Sequence, residues 1–383
     1  MESSRVFFAY PSEPKLRAET ISRAAAAIAL SGDALPITWQ DLADAGHLII
    51  DEILSTIDTS SLSVFDVTSL NQNVLFELGY AIGSRSRVWL VRDTSQDEEE
   101  RRWKRFGLLK TVTYIPYTNS DEIVGAFVYH KPHEHGAILY QQLIGRSLEQ
   151  SMPTSLFYLK SLYDTDVSRS LSRQIDADTS GLFSVVVADP NESFQPLPWY
   201  AQTLYNTKAA IVHFTGPERR DGDIHNARCA LIGGLATGMG KPVLMLAEED
   251  YSPPIDYHDL LHIYGTAKQC VRKVSDWLPR VLLSPTGPAA VRPGATALAL
   301  AGELKTLRLG SHVAEDERDT LADYFVDTGS YREVLAGATT VFVGRKGTGK
   351  TAILFRAADV LAEDRRNLVC VIKPPAYELD GVL

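Results

Sequence analysis

Residues 63–83, Ser63-Val-Phe-Asp-Val-Thr-Ser-Leu-Asn-Gln-Asn-Val-Leu-Phe-Glu-Leu-Gly-Tyr-Ala-Ile-Gly83, constrain the fold more than any other stretch of the chain. A short apolar strand stops at Asp66, a polar turn brings Asn71 and Asn73, and a helix then carries one carboxylate, Glu77, through an otherwise apolar run. In an open parallel α/β sheet, ligands sit beyond the carboxyl ends of the strands, which makes Asp66, Asn71, Asn73 and Glu77 candidates to face one. Helical spacing places Val74, Leu75, Leu78, Ala81 and Ile82 on one face, and Asn73, Glu77, Tyr80 and Ser84 on another. Carboxylates are usually solvated, so the pattern alone predicts a wet second face. A capping box does not explain Glu77, because Val74 stands three residues before it.

The flanking sequence repeats the alternation. Residues 6–10, 36–39, 62–67 and 88–91 read as strands, and 13–30, 46–57 and 74–83 as helices. Strands interleaved with helices in this way imply right-handed crossovers and a parallel sheet. The run 93–105 has no apolar face and reads as a solvated loop or frayed helix, and 111–115 as a further edge strand. A second unit follows, with strands at 156–159, 183–187, 209–214 and 242–246, and helices near 164–177, 198–206 and 224–237. Gly79-Tyr-Ala-Ile-Gly83 and Gly234-Leu-Ala-Thr-Gly238 close corresponding helices, which indicates an internal duplication. Aligning those glycines puts Ile232 where Glu77 stands, so the second unit is expected to be degenerate. His213, at the end of a core strand, reads as a satisfied buried histidine. Trp199, Tyr200, Leu204 and Tyr205 read as core, and His130, His133 and His135 give no convergent ligand geometry from spacing alone.

Composition narrows the function classes. An apolar share of 45% against 22% charged residues is that of a globular protein with real cores. A net charge of −10 with no basic tail argues against direct nucleic-acid binding. Three widely spaced cysteines exclude a disulfide framework or zinc ribbon and suit a reducing, cytoplasmic setting. Strand-like residues follow Met1 almost at once, so no signal peptide is expected, and no apolar run is long enough to read as a membrane-spanning helix.

The segment Asn73-Val-Leu-Phe-Glu-Leu-Gly-Tyr-Ala81, behind a strand that ends in Asp66, resembles the signature of the nucleoside 2-deoxyribosyltransferase-like superfamily. It is similar, too, to bacterial TIR-like nucleotide-binding domains. The resemblance covers roughly a third of the chain. It implies chemistry on an N-glycosidic bond, with Glu77 as the catalytic carboxylate and Asp66 and Asn73 holding sugar hydroxyls. Tyr10 and Trp39, at the ends of the first two strands, would stack on the base. The expected activity is cleavage of NAD+ to nicotinamide and ADP-ribose. The alternatives are a 2-deoxynucleoside transferase or hydrolase, and a non-catalytic nucleotide-binding sensor or scaffold.

Near the C-terminus, Gly344-Arg-Lys-Gly-Thr-Gly-Lys-Thr351 matches the phosphate-binding loop pattern, with an apolar run before it and a helical run after it. Backbone N–H groups at Gly344, Gly347 and Gly349 would wrap phosphates, Lys350 would supply a point charge, and Thr351 would hold Mg2+ through bound ATP. With Asp323-Tyr-Phe-Val-Asp-Thr328 ahead of it, this region resembles bacterial P-loop ATPases of the AAA-related or STAND-like kind. No strand ending in a carboxylate follows before Leu383, so the chain is expected to be part of a longer protein and hydrolysis by it alone is not expected. The architecture implied by resemblance is a nucleotide hydrolase regulated by a fused ATPase in antiphage defence, oligomeric, and answering to a phage or host trigger protein. The fold expectation is therefore α/β: two flavodoxin- or Rossmann-like units at 1–145 and 153–282, a linker at 283–300, and the opening βαβ of a P-loop domain at 301–383.

Overall fold

The computed structural model describes residues 4–42, 49–135, 138–144, 155–179, 183–190, 195–216, 218–251, 257, 260–282, 334, 350–363, 367 and 369. Two compact bodies divide the chain: Met1–Ala297, which contains both α/β units, and Leu298–Leu383. The first holds two five-stranded sheets, all parallel. Strands β1 (Arg5–Ala9), β2 (Leu35–Thr38), β3 (Leu62–Asp66), β4 (Val88–Asp93) and β5 (Ile115–Tyr117) form the first sheet in the order β2-β1-β3-β4-β5. Strands β6 (Ser155–Leu159), β7 (Ser184–Ala188), β8 (Thr207–Phe214), β9 (Val243–Glu248) and β10 (Leu261–Tyr264) form the second in the order β7-β6-β8-β9-β10. Counted within each unit, both sheets run 2-1-3-4-5, so the repeat seen in sequence is a repeat of topology.

Helices cover both faces of each sheet, as parallel sheets require. In the first unit, α1 (Lys15–Ser31) shares an outer core with Val6, Phe8, Leu62 and Val64. Helices α2 (Ile49–Thr59) and α3 (Gln72–Gly83) pack on the opposite face, against Phe7, Ala9 and Phe65. Beyond them lie α4 (Asp97–Phe106), α5 (Ser120–His130), α6 (Pro132–His135) and α7 (Leu139–Ile144), with α5 completing the outer layer through Ile123 and Phe127. The second unit has α8 (Asp166–Thr179) and α11 (Ala267–Leu282) outside, and α9 (Leu197–Tyr205) and α10 (Gly222–Gly238) inside. Phe65, Val74 and Leu78 thus share a single core with Phe157, Leu204 and Leu231.

The seam of that shared core is α3 against α10. A Cβ added to Gly79 would overlap the Leu231 carbonyl oxygen, and one added to Gly83 would overlap that of Leu235. The relation is reciprocal: Gly234 abuts the Phe76 carbonyl and Gly238 that of Tyr80. Each repeated glycine pair is therefore a notch for the other helix's backbone.

This seam overturns the wet face expected for α3. All residues from Val74 to Gly83 are buried, Glu77 at 5% exposure and Tyr80 at 6%, because sheet, α2 and α10 surround the helix. The Tyr80 hydroxyl donates to Asp58 at 2.8 Å. The 93–105 run also differs from expectation, since α4 is an ordered helix that buries Trp103 and Phe106. Its acidic start and basic end suit the helix dipole. Buried Arg92 pins it, lying over the Trp103 ring at 4.7 Å and pairing with Glu100 at 2.5 Å. The edge strand falls at 115–117 rather than 111–115. Strand β10 and helix α11 were not anticipated, while Tyr200 and Leu204 are core as expected. The linker at 283–300 and the strand before the phosphate-binding loop lie outside the described residues. In the Leu298–Leu383 unit, α12 (Lys350–Glu363) is the helix expected after the motif at 352–361, and it starts two residues earlier, at the motif's lysine.

Backbone cannot rotate away from an intruding methyl group as a side chain can. Gly234→Val is expected to destabilise by about 3 kcal/mol or more. Gly125→Ala on α5, where an added Cβ meets nothing, is expected to be neutral or stabilising by up to about 1 kcal/mol. Urea denaturation of the two variants checks the contrast.

Candidate functional site at the carboxyl ends of the first sheet

Side chains alternate along a strand, and this decides which way each strand end points. Phe65 and Val67 join the core shared with α3, whereas Leu62 and Val64 join the core beneath α1. Asp66 falls on the α1 side. Register sets Ala9 beside Phe65, Asp66 beside Val91 and Asp93 beside Tyr117, so Tyr10, Asp66, Asp93 and Tyr117 end neighbouring strands on one face.

Asp66 is 1% exposed. Its Oδ1 accepts from the Thr68 backbone N–H at 3.1 Å and from the Thr68 hydroxyl, while that hydroxyl accepts from the Asp93 N–H at 2.9 Å. Thr68 thereby ties the end of β3 to the end of β4. Asp66 Oδ2 has no hydrogen-bond partner. Burial raises its pKa to about 6, against the lowering pull of Thr68 and of the Arg17 charge.

Arg17, on α1, is 5% exposed. None of its three guanidinium nitrogens makes a hydrogen bond, and its carboxylate neighbours stand off, Asp93 at 3.9 Å and Glu99 at 4.0 Å. The Tyr117 hydroxyl is also unpartnered, although Thr68 is near, and burial followed by the Asp66 charge pushes its pKa up. Tyr10 and Trp39 lie with ring centroids 6.4 Å apart, the Tyr10 hydroxyl and Trp39 Nε1 both without a partner.

The remaining predicted residues lie around the start of α3. Asn71 is its N-cap, its side chain accepting from the Asn73 and Val74 N–H groups at 3.0 and 3.2 Å. Its side-chain oxygen is therefore committed to the helix. Asn73 Oδ1 is buried and unpartnered. Glu77, one turn further on, takes part in a polar interaction of its own and belongs to the helix on the far face of the sheet from Asp66. The second unit reaches this helix start: the Tyr251 and Tyr257 hydroxyls both donate to Gln72 Oε1, and Tyr257 stacks on Phe76 at 5.0 Å.

Arg17, Thr68, Asp93 and Tyr117 escaped the sequence reading. Asp93 and Tyr117 end their strands just as Asp66 does, and correct strand limits would have found them. Arg17 stands one turn before Ile21 on the buried stripe Ile21, Ala24, Ala25 and Ile28, and a cation on such a stripe was the available signal.

The corresponding edge of the second sheet is closed by its own side chains. Lys160 pairs with Asp189 at 2.8 Å, and Arg219 grips Glu248 through two bonds of 2.7 and 2.8 Å. Asn226 both accepts from and donates to the Thr215 backbone at 2.9 Å. His213 is fully buried between the hydroxyls of Tyr158 and Tyr264, and burial, reinforced by His225, pushes its pKa down to about 3. It is the satisfied neutral core histidine that its strand position predicts. Ile232 is fully buried where Glu77's counterpart would stand. Among the described residues, Ser161 Oγ is the only unpartnered buried side-chain polar atom of the second unit; the others all belong to the first.

Of the phosphate-binding loop, Gly344, Gly347 and Gly349 lie outside the described residues, and Lys350 and Thr351 form the first turn of α12. His133 stacks on Phe127 at 5.1 Å, and no group of three or more metal-ligating side chains occurs among the described residues. No described helix is long and apolar enough to cross a membrane. Comparison with protein-family models, curated proteins and solved structures finds no match.

The raised pKa of Asp66 links stability to pH. A carboxyl whose folded value lies above its unfolded 3.8 binds its proton more tightly when folded. Its contribution is complete below pH 3.8 and is lost as pH rises through about 6, a loss of about 3 kcal/mol by linkage. Asp66→Asn removes this dependence. Chemical denaturation from pH 4 to 8 is expected to show wild-type stability falling relative to the variant across that window.

Proposed function

We propose that the first α/β unit is a nucleotide N-glycoside hydrolase acting on NAD+, with Glu77 as its catalytic carboxylate. The observation that supports this best is the asymmetry between two units of one topology. The first leaves a group of buried donors and acceptors unpartnered at the carboxyl ends of its strands, while in the second, among the described residues, the charged groups are paired and Ser161 Oγ alone is left so. Buried polar groups are costly to leave unmade, so such a concentration marks where a polar ligand completes the site. The strand order reverses between β1 and β3, and ligands of open parallel sheets bind at such a switch point. Tyr10 and Trp39 offer aromatic surface beside it.

Cleavage of an N-glycosidic bond places positive charge on the anomeric carbon, which a carboxylate on one face stabilises or attacks. Nicotinamide leaves without protonation because it already carries positive charge in NAD+, so one carboxylate suffices. The ligand would straddle the end of β3, with its sugar on the Asp66 side and the scissile bond toward α3. ATP with Mg2+ at Lys350 and Thr351 would regulate the activity.

A second reading, nucleotide sensing without cleavage, is favoured by the 5% exposure and existing polar interaction of Glu77. Chromatography of products after incubation with NAD+, ATP and deoxynucleosides separates the two. Nicotinamide release reduced at least about 100-fold by Glu77→Gln, with the melting temperature little changed, is the expected result. Free base from a deoxynucleoside would replace NAD+ as substrate, and nucleotide binding without product would favour sensing.

A further inference from the structure

The buried group around Arg17 has a chemistry that selects its ligand. On the α1 face, three guanidinium nitrogens, Asp66 Oδ2 and the Tyr117 hydroxyl are unpartnered, and Arg17, Asp66 and Tyr117 are each at least nine-tenths buried. Thr68 fixes Asp66 through Oδ1, which leaves Oδ2 free to accept. Arg17 faces three carboxylates, those of Asp66, Asp93 and Glu99, and Arg102 stands 3.8 Å from the last, which still leaves three negative charges against two positive. That surplus of negative charge repels a phosphate. The group does not form a metal-binding cluster either. What remains is a neutral group able to accept from Arg17 and Tyr117 while donating to Asp66, which a hydroxyl does and an ether or apolar group does not. A single hydroxyl accepts only twice, and Arg17 presents N–H groups on three unpartnered nitrogens beside the Tyr117 O–H, so filling these donors takes two adjacent hydroxyls.

We infer that Arg17, Asp66 and Tyr117 form a clamp for the vicinal 2′,3′-diol of a ribose, so that the site takes ribonucleotides and rejects their 2′-deoxy counterparts. The inference rests on the proposed nucleotide site and names the sugar class it admits. Sites built to bond a substrate hydroxyl discriminate strongly against analogues lacking it, because their own buried groups are then stranded. Arg17 and Tyr117 are specificity residues here, acting on the sugar hydroxyls and not on the bond broken.

The test is calorimetric binding to the Glu77→Gln chain, which separates recognition from cleavage. The probes are NAD+ and its analogue lacking the 2′-hydroxyl of the nicotinamide ribose. NAD+ is expected to bind at least about 100-fold more tightly than the analogue. Adding Arg17→Met or Tyr117→Phe should shrink that ratio to within about tenfold, by weakening NAD+ and not the analogue. Tyr117→Phe preserves the ring that packs under α1, so it keeps the test decisive should Arg17→Met fail to fold. Equal binding of the two probes, an unchanged ratio in the folded variants, or no binding of NAD+ overturns the clamp. Discrimination retained by a wild-type chain that releases no nicotinamide would leave the clamp standing and remove the hydrolase.

Discussion

Two helices approach with backbone against backbone only where neither presents a side chain at the crossing, and α3 and α10 meet that condition twice each. Gly79 and Gly83 receive the carbonyls of Leu231 and Leu235, and Gly234 and Gly238 receive those of Phe76 and Tyr80. The close crossing merges what would be two inner layers into one core, running from Phe65 in the first sheet to Phe157 in the second. It also removes α3 from solvent. A helix enclosed on all sides must be apolar except where a polar group has a purpose. Glu77 is the one carboxylate of α3, and its burial is a consequence of the seam.

The same seam leaves the two carboxyl edges free to diverge. In the second unit, Lys160 with Asp189 and Arg219 with Glu248 close the edge, and Ile232 occupies the place of Glu77. In the first, Arg17 stands off its carboxylates and Asp66 keeps one oxygen without a partner. The first edge thus keeps hydrogen-bonding capacity that the second has used, and the proposed ligand site rests on that difference. The second unit has a positioning part: through Tyr251 and Tyr257 it holds Gln72 at the first turn of the helix that carries Asn73 and Glu77.

Much of this was legible in the sequence, and what was not has a common cause. Strands and helices follow from local periodicity, so the alternation and the parallel sheets were readable, and the rule that ligands lie beyond strand ends picked out Asp66 and Tyr10. The glycine repeat was visible as a repeat, but its meaning depends on a partner helix some 150 residues away. For the same reason Glu77 and Tyr80 looked exposed. In 93–105 the charges hid Trp103, which docks against Arg92, a contact that only the folded sheet creates. Asn71 looked like a ligand group and serves as a cap, because an asparagine before a helix satisfies both patterns. Arg17 is not legible in sequence because a lone cation near the start of a helix ordinarily reaches solvent, and only the packing of α1 on the sheet buries it.

The claim that one edge of this paired structure receives ligand while the other is closed is open to hydrogen–deuterium exchange in the presence and absence of saturating NAD+. The account predicts added protection confined to the first unit, around residues 10–17, 66–77 and 115–117, with none around 160–164 or 216–222. Protection centred on the second edge, or spread equally over both, would contradict it.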